Sequence, residues 1–215
     1  MTQPLVVMGG AFDPVHVGHL RTALEVWELL HPAEVRLIPS ANPPHRPPHH
    51  ASGADRKRWL EEAVRDLPWC SVDDRELRRD GPSWTVLTLQ GLRQEFPDRC
   101  LCMILGMDAF LGLADWHCWQ EIPELAHIIV VHRPGWLPPE TGVAGQLLRD
   151  LRVDNIDALR GRPAGNIYIQ EVTQLEISST SVRAVIEAGG DPRFMVPDGV
   201  ARLLTESGQY AARSG

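Results

Sequence analysis

Residues 9–19 read GGAFDPVHVGH, and this stretch decides the fold of the chain. The four residues before it, Leu5 to Met8, are all apolar, which indicates a buried strand. Beyond it, apolar residues recur at helical spacing at positions 20, 23, 24, 27 and 30. The stretch is therefore predicted to be the turn between a strand and a helix.

A turn of this kind is suited to binding phosphate. It places backbone N–H groups at a helix N-terminus, where the helix dipole favours an anion. Gly9 and Gly10 allow a phosphate to approach closely because they have no side chain. His16 and His19 are three residues apart, so both imidazoles can donate hydrogen bonds to the same guest. We expect one phosphate group flanked by two histidines.

Two familiar phosphate motifs do not fit this turn. A Walker loop ends in Gly-Lys-Ser/Thr, whereas the only lysine of the chain is Lys57. The three spaced glycines of the dinucleotide fingerprint are also missing from the turn. The remaining alternative, a glycine-rich connector with two surface histidines, leaves the Phe-Asp-Pro spacing unexplained.

Length and composition are those of a single α/β domain over residues 1–215. Hydrophobic residues make up 43% of the chain, but no apolar run is long enough to cross a bilayer. No secretory leader precedes the first strand, so we expect a cytoplasmic protein with no membrane partner. The net charge of −7 argues against nucleic-acid binding, although a local positive pocket for one small anion remains compatible with it. The sequence leaves open whether the chain forms a homo-oligomer.

The rest of the chain alternates between strand and helix patterns, which predicts an open, mostly parallel sheet with helices on both faces. A small C-terminal helical part is expected at about 177–210. Strands are predicted near 34–39, 69–72, 99–106, 126–131 and 166–170, and helices over 54–67, 82–96 and 197–206. Ser83 is the expected cap of the second of these helices. The basic run 56–58 is interpreted as a solvated face, and residues 136–165 reveal only a helical middle.

Four cysteines, at positions 70, 100, 102 and 118, are expected to be reduced structural thiols. They lack the double-pair spacing of a zinc site.

Residues 40–50 contain four prolines and are predicted to form a stiff loop at the carboxyl end of the second strand. Within it, His45 and Arg46 are interpreted as an anion-contacting pair, and His49 and His50 as solvated. A metal site is the weaker alternative, because adjacent histidines cannot easily both face one ion.

A second anion cradle is predicted at ISSTSVR, residues 177–183. Hydroxyl side chains at the start of a helix and Arg183 in its first turn can bind phosphate, and plain helix capping explains only part of this pattern. Asp108 follows the apolar strand 99–106, so its carboxylate is expected at the same sheet edge as the first turn. Trp116 fits either a ligand platform or the core.

Seven segments of the chain, taken in order, match one family: GGAFDPVHVGH, NPPHR, PSWT, GMD, ADW, HRPG and ISSTSVR. The first resembles the signature of the nucleotidyltransferase superfamily and the HIGH motif of class I aminoacyl-tRNA synthetases. Together they resemble the bacterial nicotinate-nucleotide adenylyltransferase family over nearly the whole chain. The resemblance implies a Rossmann-like nucleotidyltransferase fold and the reaction of ATP with nicotinate mononucleotide. That reaction uses Mg²⁺ carried with ATP and gives nicotinate adenine dinucleotide and pyrophosphate in NAD biosynthesis.

The resemblance also implies roles toward ATP. His16, His19 and Arg183 would be catalytic, with the histidines on the α-phosphate and the leaving phosphates. Ser179 and Thr180 would join Arg183 on the β- and γ-phosphates, and Asp108 would contact a ribose. The whole ATP set is Gly9, Gly10, Ala11, Phe12, His16, His19, Gly106, Asp108, Ile177, Ser179, Thr180 and Arg183.

Toward nicotinate mononucleotide, the resemblance implies that Trp116 stacks on the pyridine ring. Backbone N–H groups near Thr85 and His117 would receive the carboxylate. The family often has an aromatic residue where this chain has His117, so the chain departs from the pattern there. The whole mononucleotide set is Asn42, His45, Arg46, Thr85, Trp116 and His117.

Two other functions share parts of this pattern. An adenylyltransferase for another phosphorylated metabolite, such as phosphopantetheine, would share both end motifs, but NPPHR and the Asp115-Trp116 pair argue against it. A regulatory nucleotide-binding module without turnover would not need both motif histidines and Arg183. The lack of an obvious general base is consistent with transfer to a phosphate monoester, which is already largely ionised near neutral pH.

Overall fold

The computed structural model describes residues 3–41, 48–173 and 175–212. Seven strands form one sheet in the order β3-β2-β1-β4-β5-β7-β6, and each pairing between them is parallel. The strands are β1 Leu5–Gly10, β2 Glu34–Pro39, β3 Cys70–Val72, β4 Leu101–Gly106, β5 His127–His132, β6 Arg152–Val153 and β7 Ile167–Glu171. This is the Rossmann-like architecture that the pattern predicts.

Helices connect the strands, as parallel pairing requires. In the described ranges, the α-helices are α1 Val17–Leu30, α2 Gly53–Val64, α3 Arg75–Arg78, α4 Thr85–Glu95, α5 Met107–Leu111, α6 Ile122–Leu125, α7 Gly142–Leu151, α8 Ser179–Glu187 and α9 Asp198–Ser207. Short 3-10 turns cover Leu113–Asp115, Trp119–Glu121 and Ile156–Gly161. None of the helices in these ranges is both long and apolar enough to span a membrane.

Two hydrophobic clusters sandwich the sheet, because successive side chains of a strand point to opposite faces. Val6 of β1 lies in one cluster, whereas its neighbours Leu5 and Val7 lie in the other. In β4, Ile104 belongs to the first cluster and Met103 to the second. Strands buried on both faces explain the continuous apolar runs of the sequence.

The strand order places a crevice at the centre of the sheet. From β1 the chain first builds outward through β2 and β3, then returns to place β4 on the other side of β1. Ligands of open α/β sheets bind outside the carboxyl ends of the strands at such a reversal. Here those ends are Gly10 and Gly106, so the fold brings the first turn and the end of β4 together.

Several details of the predicted element pattern were wrong or incomplete, and the short helices α3, α5 and α6 were not predicted. Trp84, not Ser83, is the N-cap of α4, and the Ser83 hydroxyl instead accepts the amide N–H of Ala41 at 2.9 Å. The edge strand β6 was not predicted, because two residues are too few to show any alternation. The helices α8 and α9 form the C-terminal helical part where it was expected.

Candidate active site

The turn between β1 and α1 is built around a buried phenylalanine. Phe12 is 1% exposed and adopts a left-handed backbone conformation with φ 48°. A Cβ on Gly10 would lie 3.0 Å from the Phe12 ring, so a larger residue there would have to displace this ring slightly. The Phe12 ring meets the His19 ring edge-on, with 4.9 Å between the centroids. The Phe12 side chain therefore packs against His19 and is not accessible to a ligand.

The two motif histidines form a stacked pair at the start of α1. Their ring centroids lie 3.6 Å apart, and the amide N–H of His16 donates to Nδ1 of His19 at 3.2 Å. Because Nδ1 of His19 accepts, the ring proton of a neutral His19 belongs on Nε2, where it can be donated to a ligand. A Cβ on Gly18 would lie 3.0 Å from Nδ1 of His16, so a larger residue at position 18 would push against the His16 ring.

Both histidines are held neutral. Burial lowers the pKa of His16 to about 4. Burial, and then the neighbouring His16, lower the pKa of His19 well below its ordinary value. Nδ1 of His16 is buried and has no hydrogen-bond partner among the described residues. The pair thus presents neutral N–H donors, not positive charges, to whatever enters the turn.

The N-terminus of α8 is fastened to the same turn. Ser178 caps α8 by accepting the Ser181 amide N–H at 3.0 Å. The Ser179 hydroxyl donates to the carbonyl oxygen of Pro14 at 2.8 Å. Arg183 donates through Nη1 to the carbonyl oxygen of Asp13 at 2.6 Å. The two anion cradles expected from sequence therefore lie side by side in the folded chain.

Arg183 and Thr180 also contact one another within α8. Nη2 of Arg183 lies 3.2 Å from the Thr180 hydroxyl oxygen, which accepts its hydrogen bond. Thr180 is exposed and Ile177 is half-buried against the core. The first-turn N–H groups of α8 have no carbonyl partner inside the helix, so they can add to the positive end of the dipole.

The floor of the crevice is open above two glycines. Gly9 is the second-last residue of β1 and Gly106 is the last residue of the neighbouring β4, and a Cβ on either would meet no atom within 4 Å. Asp108 is exposed in α5, which begins directly after β4. This arrangement leaves room for a nucleoside beside a carboxylate at the edge of the sheet.

The proposed pyridine side is held by ring stacking. The Trp84 and His117 rings stack with 4.7 Å between centroids, and Thr85 begins α4 directly after Trp84. Trp116 is half-buried and packs against the second hydrophobic cluster, while His117 is exposed. The half-buried Trp116 leaves both of its interpretations, ligand platform and core residue, standing.

Three of the predicted mononucleotide contacts, Asn42, His45 and Arg46, lie outside the described residues. The interpretation of the next two histidines as solvated was only half right. His49 is half-buried and lies 3.3 Å from the Ser40 hydroxyl through Nε2. The His50 ring is exposed, as expected.

One arginine was assigned wrongly from the sequence. Arg56, interpreted as part of a solvated face, is 1% exposed and donates through Nη1 to the carbonyl oxygen of Ala11 at 2.7 Å. It lies three and four residues before the buried Trp59 and Leu60, so helical spacing did place it on the inner face of α2. Arg56 therefore stabilises the turn at residues 9–19 by a hydrogen bond from α2 to its main chain.

The donor set around the crevice does not form a metal cage. Within the described ranges, no group of three or more His, Cys, Asp or Glu side chains is arranged to hold a metal ion. Mg²⁺ keeps most of its waters and needs few protein ligands, so a cation carried with a nucleotide does not require such a group.

Comparisons with known proteins agree with this geometry. A family model described as cytidylyltransferase-like matches residues 7–185. A relative from Aeromonas hydrophila, named "Probable nicotinate-nucleotide adenylyltransferase", is 42% identical over 96% of this chain and 97% of its own length. A relative of the same name from Acidithiobacillus ferrooxidans is 44% identical, covering 96% of this chain and 95% of its own.

Solved structures share the fold. The nicotinic acid mononucleotide adenylyltransferase of Plasmodium falciparum, complexed with NaAD, superposes with a TM-score of 0.73 over 97% of both chains at 14% identity. The same enzyme complexed with APC gives a TM-score of 0.70 over the same shares, also at 14% identity. At these identities the likeness establishes the common architecture.

Proposed function

Because the chain belongs to the nicotinate-nucleotide adenylyltransferase family, we propose that it transfers the adenylyl group of ATP to nicotinate mononucleotide. The products are nicotinate adenine dinucleotide and pyrophosphate, in the route to NAD. The observation that carries this proposal is the neutral, stacked pair of His16 and His19 beside Arg183. The two imidazoles supply hydrogen-bond donors and Arg183 supplies one positive charge. These groups lie at the N-termini of α1 and α8, where a triphosphate would bind.

In the proposed reaction, a phosphate oxygen of the mononucleotide attacks the α-phosphorus of ATP. A bond from that oxygen to the α-phosphorus forms, and the bond from the α-phosphorus to the bridging oxygen of pyrophosphate breaks. The attacking phosphate monoester has its second pKa at about 6, so it is largely a dianion at neutral pH. No side chain has to remove a proton, and catalysis consists of in-line positioning and stabilisation of charge.

His19 would donate from Nε2 to an α-phosphate oxygen, because its Nδ1 already accepts the His16 amide. His16 would act beside it, toward the leaving phosphates. Arg183 is the positively charged group of the pair of cradles, and it would hold the β- and γ-phosphates with Ser179 and Thr180. Neutral imidazoles suit this task, since a donor can stabilise developing charge without changing its own protonation.

The family generally uses a divalent metal with ATP, and we propose Mg²⁺ for this chain. When bound, the cation would offset negative charge on the triphosphate oxygens. The remaining ATP contacts are proposed at the glycine floor, with Gly9, Gly10, Ala11 and Phe12 contributing through the backbone. Gly106 and Asp108 would face the nucleoside, and Ile177 would pack beside it.

The mononucleotide is proposed to bind across the crevice from these residues. Trp116 would stack on the pyridine ring, and amide N–H groups at Thr85 and His117 would meet its carboxylate. Asn42, His45 and Arg46 are proposed as contacts of the proline-rich loop on the strength of the family motif alone. An ATP-consuming enzyme of this kind is proposed to act in the cytoplasm.

A pyrophosphate-release assay with ATP, Mg²⁺ and a panel of phosphorylated acceptors tests the proposal. We expect turnover with nicotinate mononucleotide, little with nicotinamide mononucleotide and none with phosphopantetheine. Preferential turnover of phosphopantetheine would overturn the substrate assignment. If no acceptor supports release while ATP still binds, the chain is a nucleotide-binding module and the proposed activity is wrong.

A further inference from the structure

The chain end returns to the back of the phosphate turn. Tyr210 lies three residues beyond the end of α9, and its hydroxyl donates to Oδ1 of Asp13 at 2.5 Å. Its ring packs at a tilt against Trp59, with 5.7 Å between centroids. The preceding Gln209 donates through Nε2 to the carbonyl oxygen of His50 at 3.2 Å. The tail is thus seated against buried groups of the active-site scaffold.

Asp13 is a carboxylate buried behind the turn, with 3% of its surface exposed. Oδ2 accepts the amide N–H of His50 at 2.7 Å, and Oδ1 accepts the amide N–H of Ala51 at 3.2 Å in addition to the Tyr210 hydroxyl. The His50 ring lies 3.4 Å from Oδ2 through Nδ1. Burial alone would raise the pKa of Asp13, but the hydrogen bonds from Tyr210, His50 and Ala51 outweigh it and lower the pKa. The group is therefore ionised.

The carbonyl oxygens of the main chain around Asp13 accept hydrogen bonds from other segments, including the anion cradle at the start of α8. The Asp13 carbonyl oxygen receives Nη1 of Arg183 at 2.6 Å, and the next carbonyl, of Pro14, receives the Ser179 hydroxyl. Two residues earlier, the Ala11 carbonyl receives Arg56. One residue therefore joins three separate segments: the chain end, the loop before α2 and the N-terminal turn of α8.

We propose that Tyr210 and Asp13 form a positioning pair. By holding the Asp13 carboxylate, Tyr210 fixes the position of Arg183 and of the turn at residues 9–19, which carries His16. This inference rests on the proposed adenylyl transfer. Neither side chain touches substrate. Tyr210 acts on Asp13, and Asp13 acts through its carbonyl on Arg183 and through its place in the turn on His16.

The geometry explains why a hydroxyl is needed at this position. The Asp13 carboxylate accepts two amide N–H groups, from His50 and Ala51, and its third donor is the Tyr210 hydroxyl, which comes from a separate segment of the chain. Without it, the carboxylate would be held by residues 50–51 alone, and one of the bonds that fix the turn would be lost. In-line transfer is sensitive to such displacements, since a misplacement of about 1 Å can reduce a rate about a hundredfold.

Tyr210→Phe tests the pair, because it removes the hydroxyl and keeps the ring on Trp59. We expect kcat to fall about tenfold or more while the KM for ATP stays within about twofold, and the unfolding midpoint to decrease but to remain above the assay temperature. Tyr168→Phe is the matched control, since Tyr168 is the other tyrosine of the chain and packs against the core. It should leave kcat unchanged.

A double-mutant cycle tests whether Tyr210 affects kcat through Asp13. In an Asp13→Asn background, Tyr210→Phe should have little further effect on kcat, because the group on which it acts is already altered. Full additivity of the two losses would overturn the pathway. Wild-type kcat in Tyr210→Phe, or a loss of kcat that merely follows the loss of folded protein, would overturn the pair itself.

Hydrogen exchange separates this inference from the proposed function. If the wild-type protein releases no pyrophosphate, the activity is wrong, and the pair is then judged by amide exchange alone. Tyr210→Phe should accelerate exchange over residues 11–19 and 48–51 relative to Tyr168→Phe. Equal exchange in the two variants would show that the hydroxyl does not position the turn.

Discussion

The phosphate half and the pyridine half of the proposed site are built differently. In the phosphate half, the turn is fastened by hydrogen bonds from Arg183, Ser179 and Arg56 to three of its carbonyl oxygens. In the pyridine half, Trp84 and His117 are joined by ring stacking, and His117 is exposed. The phosphate half is thus stabilised by hydrogen bonds to the main chain, and the pyridine half by contact between aromatic rings.

This difference assigns different tasks to the two halves. Stabilising charge in a transition state requires donors fixed in advance, which a hydrogen-bonded turn provides. Choosing between pyridine rings requires a surface and a few polar groups, which stacked side chains provide. Changes in the phosphate half should therefore reduce kcat, whereas changes in the pyridine half should raise the KM for the mononucleotide.

The largest effect is expected from His19→Ala. Donors aimed at developing charge are worth about 2.7–4 kcal/mol, so kcat should fall at least about a hundredfold in a protein that remains folded. His31→Asn is the control, because His31 is an exposed residue at the other end of α1 and its left-handed backbone suits asparagine. Steady-state kinetics with circular dichroism decide the matter: a folded His19→Ala protein with normal kcat removes His19 from catalysis.

The neutral state of His16 predicts a pH dependence of stability. Its folded pKa of about 4 lies below the unfolded value of about 6.5, so the unfolded chain binds the extra proton between these limits. Stability from this residue is complete above pH 6.5 and falls as the pH decreases. Between pH 6.5 and pH 5 the loss should be about 1–2 kcal/mol.

Urea unfolding at a series of pH values measures this loss in the wild type and in His16→Gln, which lacks the titrating ring. The slope between pH 6.5 and pH 5 should be shallower in the variant than in the wild type or His31→Asn. Equal slopes in all three proteins would mean that His16 is not buried in its neutral form. Carboxylates with lowered pKa values, such as Asp13, act at lower pH and do not interfere.

Trp116→Ala addresses the pyridine half. If the ring is a platform, its loss should cost about 1–3 kcal/mol of mononucleotide binding and raise that KM, with the KM for ATP nearly unchanged. Trp119→Ala is the matched control, since Trp119 is also half-buried against the same cluster. A large decrease in the unfolding midpoint with an unchanged mononucleotide KM would identify Trp116 as a core residue.

The smallest effect concerns the carboxylate of the pyridine ring. Amide donors left without an acceptor each cost roughly 1–3 kcal/mol, so kcat/KM for nicotinate mononucleotide should exceed that for the nicotinamide form at least about tenfold. Equal values for the two substrates would place the carboxylate in solvent and weaken the distinction between the two halves.

Prediction from the sequence was most successful where chemistry is local. The apolar and polar segments predicted the main strands and helices, because the central strands β1, β4 and β5 are buried on both faces and therefore show continuous apolar runs. The two-residue strand β6 and the cap of α4 were missed, since the first shows no periodicity and the second is decided by a bond between Ser83 and the distant Ala41. Helical spacing from Trp59 and Leu60 places Arg56 on the buried face of α2. The basic run 56–58 was nevertheless interpreted as solvated, because three basic residues in a row usually face water.

The sequence by itself determined the parts of the phosphate turn: the glycines, the two histidines three residues apart and the hydroxyl-rich start of α8. Tertiary structure alone decided how they are joined. Arg183 meets Asp13 across 170 residues of sequence, and Tyr210 meets the same residue across 197. No periodicity or spacing can record such contacts, because they arise only when the closing helices pack against the sheet and bring a buried carboxylate and a distant donor together.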